Sequence, residues 1–184
     1  MKYVAFFRGI NVGGKNKVKM DELRHLFSTC GFKGIKTYIQ SGNVIFESSQ
    51  EKALLMDIIA QAFAKQFGFQ SNVILRSIDE ISAVMSNFPF TDEEIKQAET
   101  ITPDVEHVYI YFSKDAIDTA ALEELYRTYD GNDKLYIGRQ EIYLLCYQSI
   151  RDSKLAVLLA RLAIPLTARN RKTIGKIYEL LVQQ

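Results

Sequence analysis

Hydrophobic spacing along this chain switches between strand and helix periods in one order, twice over. That duplication constrains the fold more than any single motif. Tyr3–Arg8 is a short, aromatic, strand-like run, and Asp21–Cys30 sets Leu23, Leu26 and Phe27 at helical spacing before Gly31. Ile35–Gln40 and Asn43–Glu47 read as a hairpin joined at Ser41-Gly42, Glu51–Phe67 as a helix stopped by Gly68, and Asn72–Arg76 as a further strand. The order β-α-β-β-α-β then recurs. Glu106–Ser113 is a strand, Asp118–Tyr129 a helix, Leu135–Ile137 and Ile142–Tyr147 a hairpin, Ser153–Ala163 a helix, and Pro165–Thr167 a short strand. Lys172–Val182 closes the chain as a helix, and Asp79–Ser86 and Asp92–Glu99 form helices between the repeats, broken by Phe88-Pro89-Phe90.

The expected fold class is therefore α+β, with two tandem ferredoxin-like (split β-α-β) domains. The expected division is 1–77 for the first domain, 78–103 for a helical linker, and 104–184 for the second domain with its C-terminal helix. Strand faces add a second expectation. Tyr109 and Tyr111 alternate with Val108, Ile110 and Phe112, and Tyr143 and Tyr147 with Ile142, Leu144 and Cys146. Neither face turns polar, so both faces of each sheet are expected to be covered.

Composition excludes several classes. At 184 residues with 47% hydrophobic and 24% charged content, the chain is of the globular type, neither disordered nor fibrous. No stretch approaches the roughly 20 apolar residues of a membrane span, and Met1-Lys2-Tyr3-Val4 opens without a cleavable leader pattern, so the expected location is the cytoplasm. Cys30 and Cys146 are isolated, as are His25 and His107. No metal-ligand spacing and no nucleophile–base set is readable, and no cofactor is expected. Charge is distributed unevenly: residues 1–45 carry +6, residues 46–130 carry −10, and residues 131–184 carry +5, for a net of +1.

Two stretches hold the candidate chemistry. F-F-R-G-I-N-V-G-G-K-N, from Phe6 to Asn16, spells G-x-x-x-x-G-K from Gly9 but places Asn16 where a phosphate-cradling nucleotide loop needs Ser or Thr for Mg²⁺. Lys17–Met20 also separate it from a helix that opens with Asp21-Glu22, carboxylates that repel phosphate there. A nucleotide-hydrolysing loop does not fit. In the split topology, however, the end of the first strand lies beside the hairpin between the second and third. Arg8, Asn11, Gly13, Gly14, Lys15 and Lys17 are thereby brought towards Gln40, Ser41 and Asn43, a set suited to an anion-binding concavity. The same residues also have a purely structural reading. In it the glycines take unusual φ angles while Asn11 and Asn43 pin the loops.

The second stretch is Thr167-Ala168-Arg169-Asn170-Arg171-Lys172-Thr173. Thr167 or Asn170 serves as the cap of the last helix, which leaves Arg and Lys in its first turn, the wrong sign for the helix dipole. Either a bound phosphate or an acidic segment from residues 92–106 would remove that conflict.

F-F-R-G-I-N-V-G-G-K-N, Y-I-Q-S-G-N-V-I-F and T-A-R-N resemble, in order and spacing, the bacterial family catalogued as domain of unknown function 1697. The resemblance implies a pair of ferredoxin-like domains and no activity, and it supplies no catalytic residues. The chain departs from the family pattern after T-A-R-N, where Arg171 stands in place of a tryptophan.

The expected function is a binding module for a phosphate-bearing or otherwise anionic ligand, with Arg8, Asn11, Gly13, Gly14, Lys15, Gln40, Ser41, Asn43, Arg169, Asn170 and Arg171 as its contacts. The alternatives are a single-stranded nucleic-acid (RNA) binder using aromatics on a sheet face, and an enzyme acting on a phosphorylated small molecule. The partner classes nominated are an anionic small molecule and nucleic acid, with no membrane.

Overall fold

A computed structural model describes residues 1–162 and 164–183. The first half runs β1 (Lys2–Phe7), α1 (Met20–Thr29), β2 (Lys33–Tyr38), β3 (Asn43–Glu47), α2 (Lys52–Phe67) and β4 (Val73–Ser77), followed by α3 (Ile78–Ser86) and α4 (Asp92–Ile101). The second half runs β5 (Val108–Ser113), α5 (Thr119–Arg127), β6 (Lys134–Ile137), β7 (Glu141–Leu145), α6 (Lys154–Arg161) and β8 (Leu166–Asn170), and α7 (Arg171–Val182) closes the chain. The protein is thus mixed α+β, with two four-stranded antiparallel sheets and, among the described residues, seven helices. The sheet orders are β2-β3-β1-β4 and β6-β7-β5-β8, so each half pairs its strands in the same sequence.

The chain divides into one compact unit of Met1–Ser86 with Ile174–Gln184 and another of Asn87–Thr173. The segment read from sequence as a linker is shared between them. Ile81 and Val84 of α3 are buried, and Ser77 at the end of β4 accepts the Glu80 amide at 3.2 Å, which joins that helix to the first sheet. In α4 Glu94 pairs with Lys134 at 2.7 Å, which ties it to the second. The closing helix, assigned from sequence to the second domain, groups from Ile174 onward with the first unit. There Lys2 donates to the Leu181 carbonyl at 3.0 Å.

Side-chain alternation explains the first core. Tyr3, Ala5 and Phe7 of β1, Val44 and Phe46 of β3, and Leu75 of β4 face the inner sides of α1 and α2. The cluster is largely aromatic: Phe27 meets Phe46 edge-on at 5.1 Å, and Phe7 meets Phe63 at 5.0 Å. Helix α1 ends in a Schellman motif, with Gly31 N–H bonding Ser28 O at 3.0 Å and Phe32 N–H bonding Phe27 O at 3.2 Å. Gly31 takes the required left-handed φ of 81°, and the Phe27–Phe32 ring contact at 5.6 Å is the apolar clasp of that motif. In the second unit the corresponding core is aliphatic, built on Leu122, Ile142, Leu144, Leu155 and Leu159, with Tyr109 and Tyr111 packed against it.

The opposite sheet faces are buried as well, at Val4, Phe6, Ile45 and Ile74 in the first unit and at Ile110, Phe112, Tyr143 and Leu145 in the second. Three local boundaries differ from the sequence reading. Strand β8 runs on to Asn170, so T-A-R-N lies in the strand. Its five-residue ladder with β5, from Leu166 to Asn170, outweighs the short run of β-formers. The helix expected over Ser153–Ala163 is α6 as far as Arg161, and Ala163 lies outside the described residues. The β2–β3 turn spans residues 39–42, since Tyr38 pairs with Asn43.

Gly42 is the tightest point of that turn. Its φ is 76°, and a Cβ there would lie 2.5 Å from Ile10 Cδ1 and 2.9 Å from Phe7 Cβ. Gly42→Ala is expected to lower unfolding free energy by about 2–4 kcal/mol, from backbone strain plus overpacking. A urea melt measures this, and an unchanged midpoint would refute the packing described.

Candidate functional site

Twelve residues, 8–19, connect β1 to α1. Within them every residue in the left-handed region is glycine or asparagine: Gly9 at 73°, Asn11 at 56°, Gly13 at 58°, Gly14 at 76° and Asn16 at 50°. These are the residue types that tolerate such angles, which accounts for much of the glycine-rich motif without a ligand. Val12–Lys15 is a tight hairpin with Lys15 N–H on Val12 O at 3.1 Å. Both of its central glycines have positive φ, as primed hairpin turns require. Asn11 N–H bonds Asn16 O at 3.1 Å, and the Asn16 amide donates to Gly9 O at 3.0 Å. The amides of Asn11 and Lys15 are thus satisfied within the loop, and no nucleotide-type phosphate cradle forms.

Asn11 links this loop to the hairpin. Its Nδ2 donates to Val18 O and to Gln40 O, both at 2.9 Å, and its Oδ1 accepts the Val18 amide at 2.8 Å. Buried Asn43 braces the other side of the turn, donating to Tyr38 O and Ser41 Oγ at 3.0 Å. Between the loop, the start of α1 and the end of β2 lies an open concavity of about 690 Å³. It is lined by Asn11, Lys17, Val18, Lys19, Met20, Asp21, Arg24, Thr37, Ile39 and Gln40.

Of the contacts expected from sequence, Asn11 and Gln40 line this space, together with Lys17. Arg8, Gly13, Gly14 and Lys15 are exposed nearby, and Ser41 and Asn43 serve the turn. Lys19, Arg24, Thr37 and Ile39 were not singled out from sequence, because helix register and strand pairing bring them here.

The electrostatics favour an anion. Three cations line the concavity against one carboxylate, Asp21. Arg24 holds both Asp21 and the Thr37 hydroxyl, while Lys19 reaches Glu22 only at 3.9 Å with its side chain 82% exposed, a pairing of little strength. Helix α1 begins at this space with Lys19 as N-cap and no side-chain cap, as α2 does at Glu51, and its first turn carries Asp21 and Glu22.

The second stretch belongs to the other unit. Asn170 caps α7, its Oδ1 accepting Thr173 N–H at 2.8 Å. The unfavourable charge in the first turn is met from within the protein. Lys172 pairs with Glu106 at 2.7 Å, and the Arg171 guanidinium lies 4.3 Å from the centre of the Phe88 ring. A flat cation thus lies over that ring. Arg169 is half-buried and donates to Ala168 O at 2.8 Å, and desolvation pulls its pKa down to about 10. Arg76 is its counterpart in the first unit. It is the penultimate residue of β4, donates to Leu75 O at 2.9 Å, and precedes Ser77, the capping residue of α3. Each arginine thus sits at the strand end that leads into the next helix.

The remaining chemistry is sparse. Burial pushes the Cys146 thiol up to about 12, against any nucleophilic role. His107 is buried, its ring nitrogens 2.7 Å from Cys146 O and 2.9 Å from Thr102 O. Among the described residues no group of three or more His, Cys, Asp or Glu is placed to hold a metal, and no helix is long and apolar enough to cross a membrane.

The model of the family described as protein of unknown function (DUF1697) matches residues 1–143, so the chain belongs to that family. The solved structure of the conserved bacterial protein SP0830 from Streptococcus pneumoniae is similar over 98% of both chains, at 28% identity and a TM-score of 0.76. No curated protein matches.

Two substitutions test these local assignments. Asn11→Ala removes three hydrogen bonds and puts a poorly suited residue at positive φ. It is expected to cost about 2–4 kcal/mol in a denaturant melt. Thr167 Oγ1 is buried without a partner among the described residues. Thr167→Val, which replaces the hydroxyl with a methyl of like shape, is expected to be neutral or stabilising by about 1 kcal/mol.

Proposed function

We propose that this member of the family is a pair of ferredoxin-like units, the first of which binds a phosphate-bearing or otherwise anionic small molecule. The strand order β2-β3-β1-β4, repeated as β6-β7-β5-β8, supports the fold assignment. The binding site is the concavity between residues 8–19, the start of α1 and the hairpin turn. Its carrying observation is the lining, which sets Lys17, Lys19 and Arg24 against Asp21.

Loop length supports a functional rather than a connecting role. The second unit makes the same strand-to-helix connection with five residues, 114–118, and keeps the same backbone link to its hairpin. Ser113 N–H bonds Gln140 O at 2.8 Å where Phe7 N–H bonds Gly42 O at 2.9 Å. Twelve residues in the first unit therefore exceed what the topology requires, and long loops in compact domains tend to carry binding.

Small-molecule binding is favoured over nucleic acid because Ile110, Phe112 and Tyr143, on the sheet face opposite the helices, are buried. Base stacking on that face would need exposed rings.

The test is a thermal-shift measurement with pyrophosphate as probe, on the wild type and on the Lys17→Ala/Lys19→Ala double variant. At 100 times its Kd the probe adds about 2.7 kcal/mol, or about 5–10 °C for a chain of this size. The double variant is expected to melt like the wild type without probe and to lose most of the shift. Equal shifts in both proteins would sink the assignment. A response to a short RNA that collapses between low and high salt would move the reading to backbone binding of nucleic acid.

A further inference from the structure

The anion site proposed above has one wall that neither folding nor charge explains. Among the described residues the non-glycine positions with positive φ are Asn11, Asn16, Asp104 and Ile39, and Ile39 is the β-branched one, at 50°. Asn and Asp enter this region readily, whereas a β-branched side chain is sterically penalised there. Glycine would suit that backbone better. The residue is fixed from both flanks, since Tyr38 O accepts from Asn43 and Gln40 O accepts from Asn11. Strain of this kind persists only where the surroundings over-determine it. Nor is Ile39 a core residue, for it is 49% exposed.

It lines the concavity, as do the apolar Val18 and Met20 and the cationic Lys17, Lys19 and Arg24. A space of about 690 Å³ is far larger than a bare phosphate needs and lies within the range of organic-ligand sites. We propose that Ile39 is a specificity-determining residue. It forms the apolar wall against the non-ionic body of the ligand, so the ligand class is an anion carrying an apolar or aromatic group rather than an inorganic ion. The strained backbone is the means by which the turn presents a branched apolar side chain to solvent at that spot.

The test compares inorganic phosphate with phenyl phosphate by amide chemical-shift titration of the whole protein, in the wild type and in Ile39→Gly and Ile39→Asn. Both replacements suit positive φ. In the wild type both anions are expected to move the amides of Asn11, Lys17–Asp21 and Gln40, with phenyl phosphate about tenfold tighter through burial of its ring. Both variants are expected to bring that preference to about twofold or less, chiefly by weakening phenyl phosphate. Their melting temperatures should equal or exceed the wild type's, since strain is relieved. If both anions bind and the variants keep the tenfold preference, the anion site stands and this inference is overturned. A melting temperature lowered by more than about 4 °C would also overturn it, by making Ile39 a packing residue. If neither anion moves these amides, the site itself is refuted and the inference goes with it.

Discussion

Asn11 takes a left-handed backbone angle that asparagine tolerates, and both hydrogens of its amide are used, one on Val18 O and one on Gln40 O. Its oxygen accepts the Val18 amide, so a single side chain closes its own loop and fastens that loop to the hairpin turn. The apolar neighbours make the closure rigid. Ile10 is buried against Gly42, whose missing Cβ leaves room for it, and Val18 is buried at the other end of the loop. Without the Asn11 amide the half-buried Val18 carbonyl would lose its side-chain partner, at a cost.

Architecture was legible in the sequence because it depends on periodicity, and periodicity is local. Leu23, Leu26 and Phe27 announced α1, and Gly31 and Gly68 marked the ends of α1 and α2 with left-handed angles. The alternating apolar faces of β5 and β7 announced burial on both sides. The candidate site was legible only in part. Asn11, Lys17 and Gln40 could be placed together because strand topology fixes which loop meets which hairpin. Arg24 and Thr37 could not, since each is ordinary in its own window and meaningful only where α1 passes the end of β2. Ile39 was invisible for a different reason. Isoleucine next to a strand end reads as strand, and only the backbone angle shows that it sits in a turn. The T-A-R-N stretch looked like a conflicted helix start, and the acidic segment 92–106 named as one way to resolve it holds Glu106, which pairs with Lys172.

A repeated device joins each sheet to the helix after it. Arg76-Ser77 and Arg169-Asn170 occupy the last two positions of β4 and β8, at equivalent registers opposite Val4-Tyr3 and Ile110-Tyr109. In both, the arginine donates back to the preceding carbonyl and the next residue caps the helix. The two pairs share one residue of two, so the correspondence is chemical before it is textual. A guanidinium satisfies the strand end while a short polar side chain satisfies the helix start.

The unequal loops after β1 and β5 have a consequence for how any result on this protein is to be interpreted. The second half carries the same strand order and the same strand-to-hairpin hydrogen bond on a connection less than half as long. Nature has in effect built the blank alongside the sample, in one polypeptide. A behaviour seen in both halves follows from what they share, whereas one confined to the first half has to be sought among its differences, of which the twelve-residue loop is one and the aromatic core another.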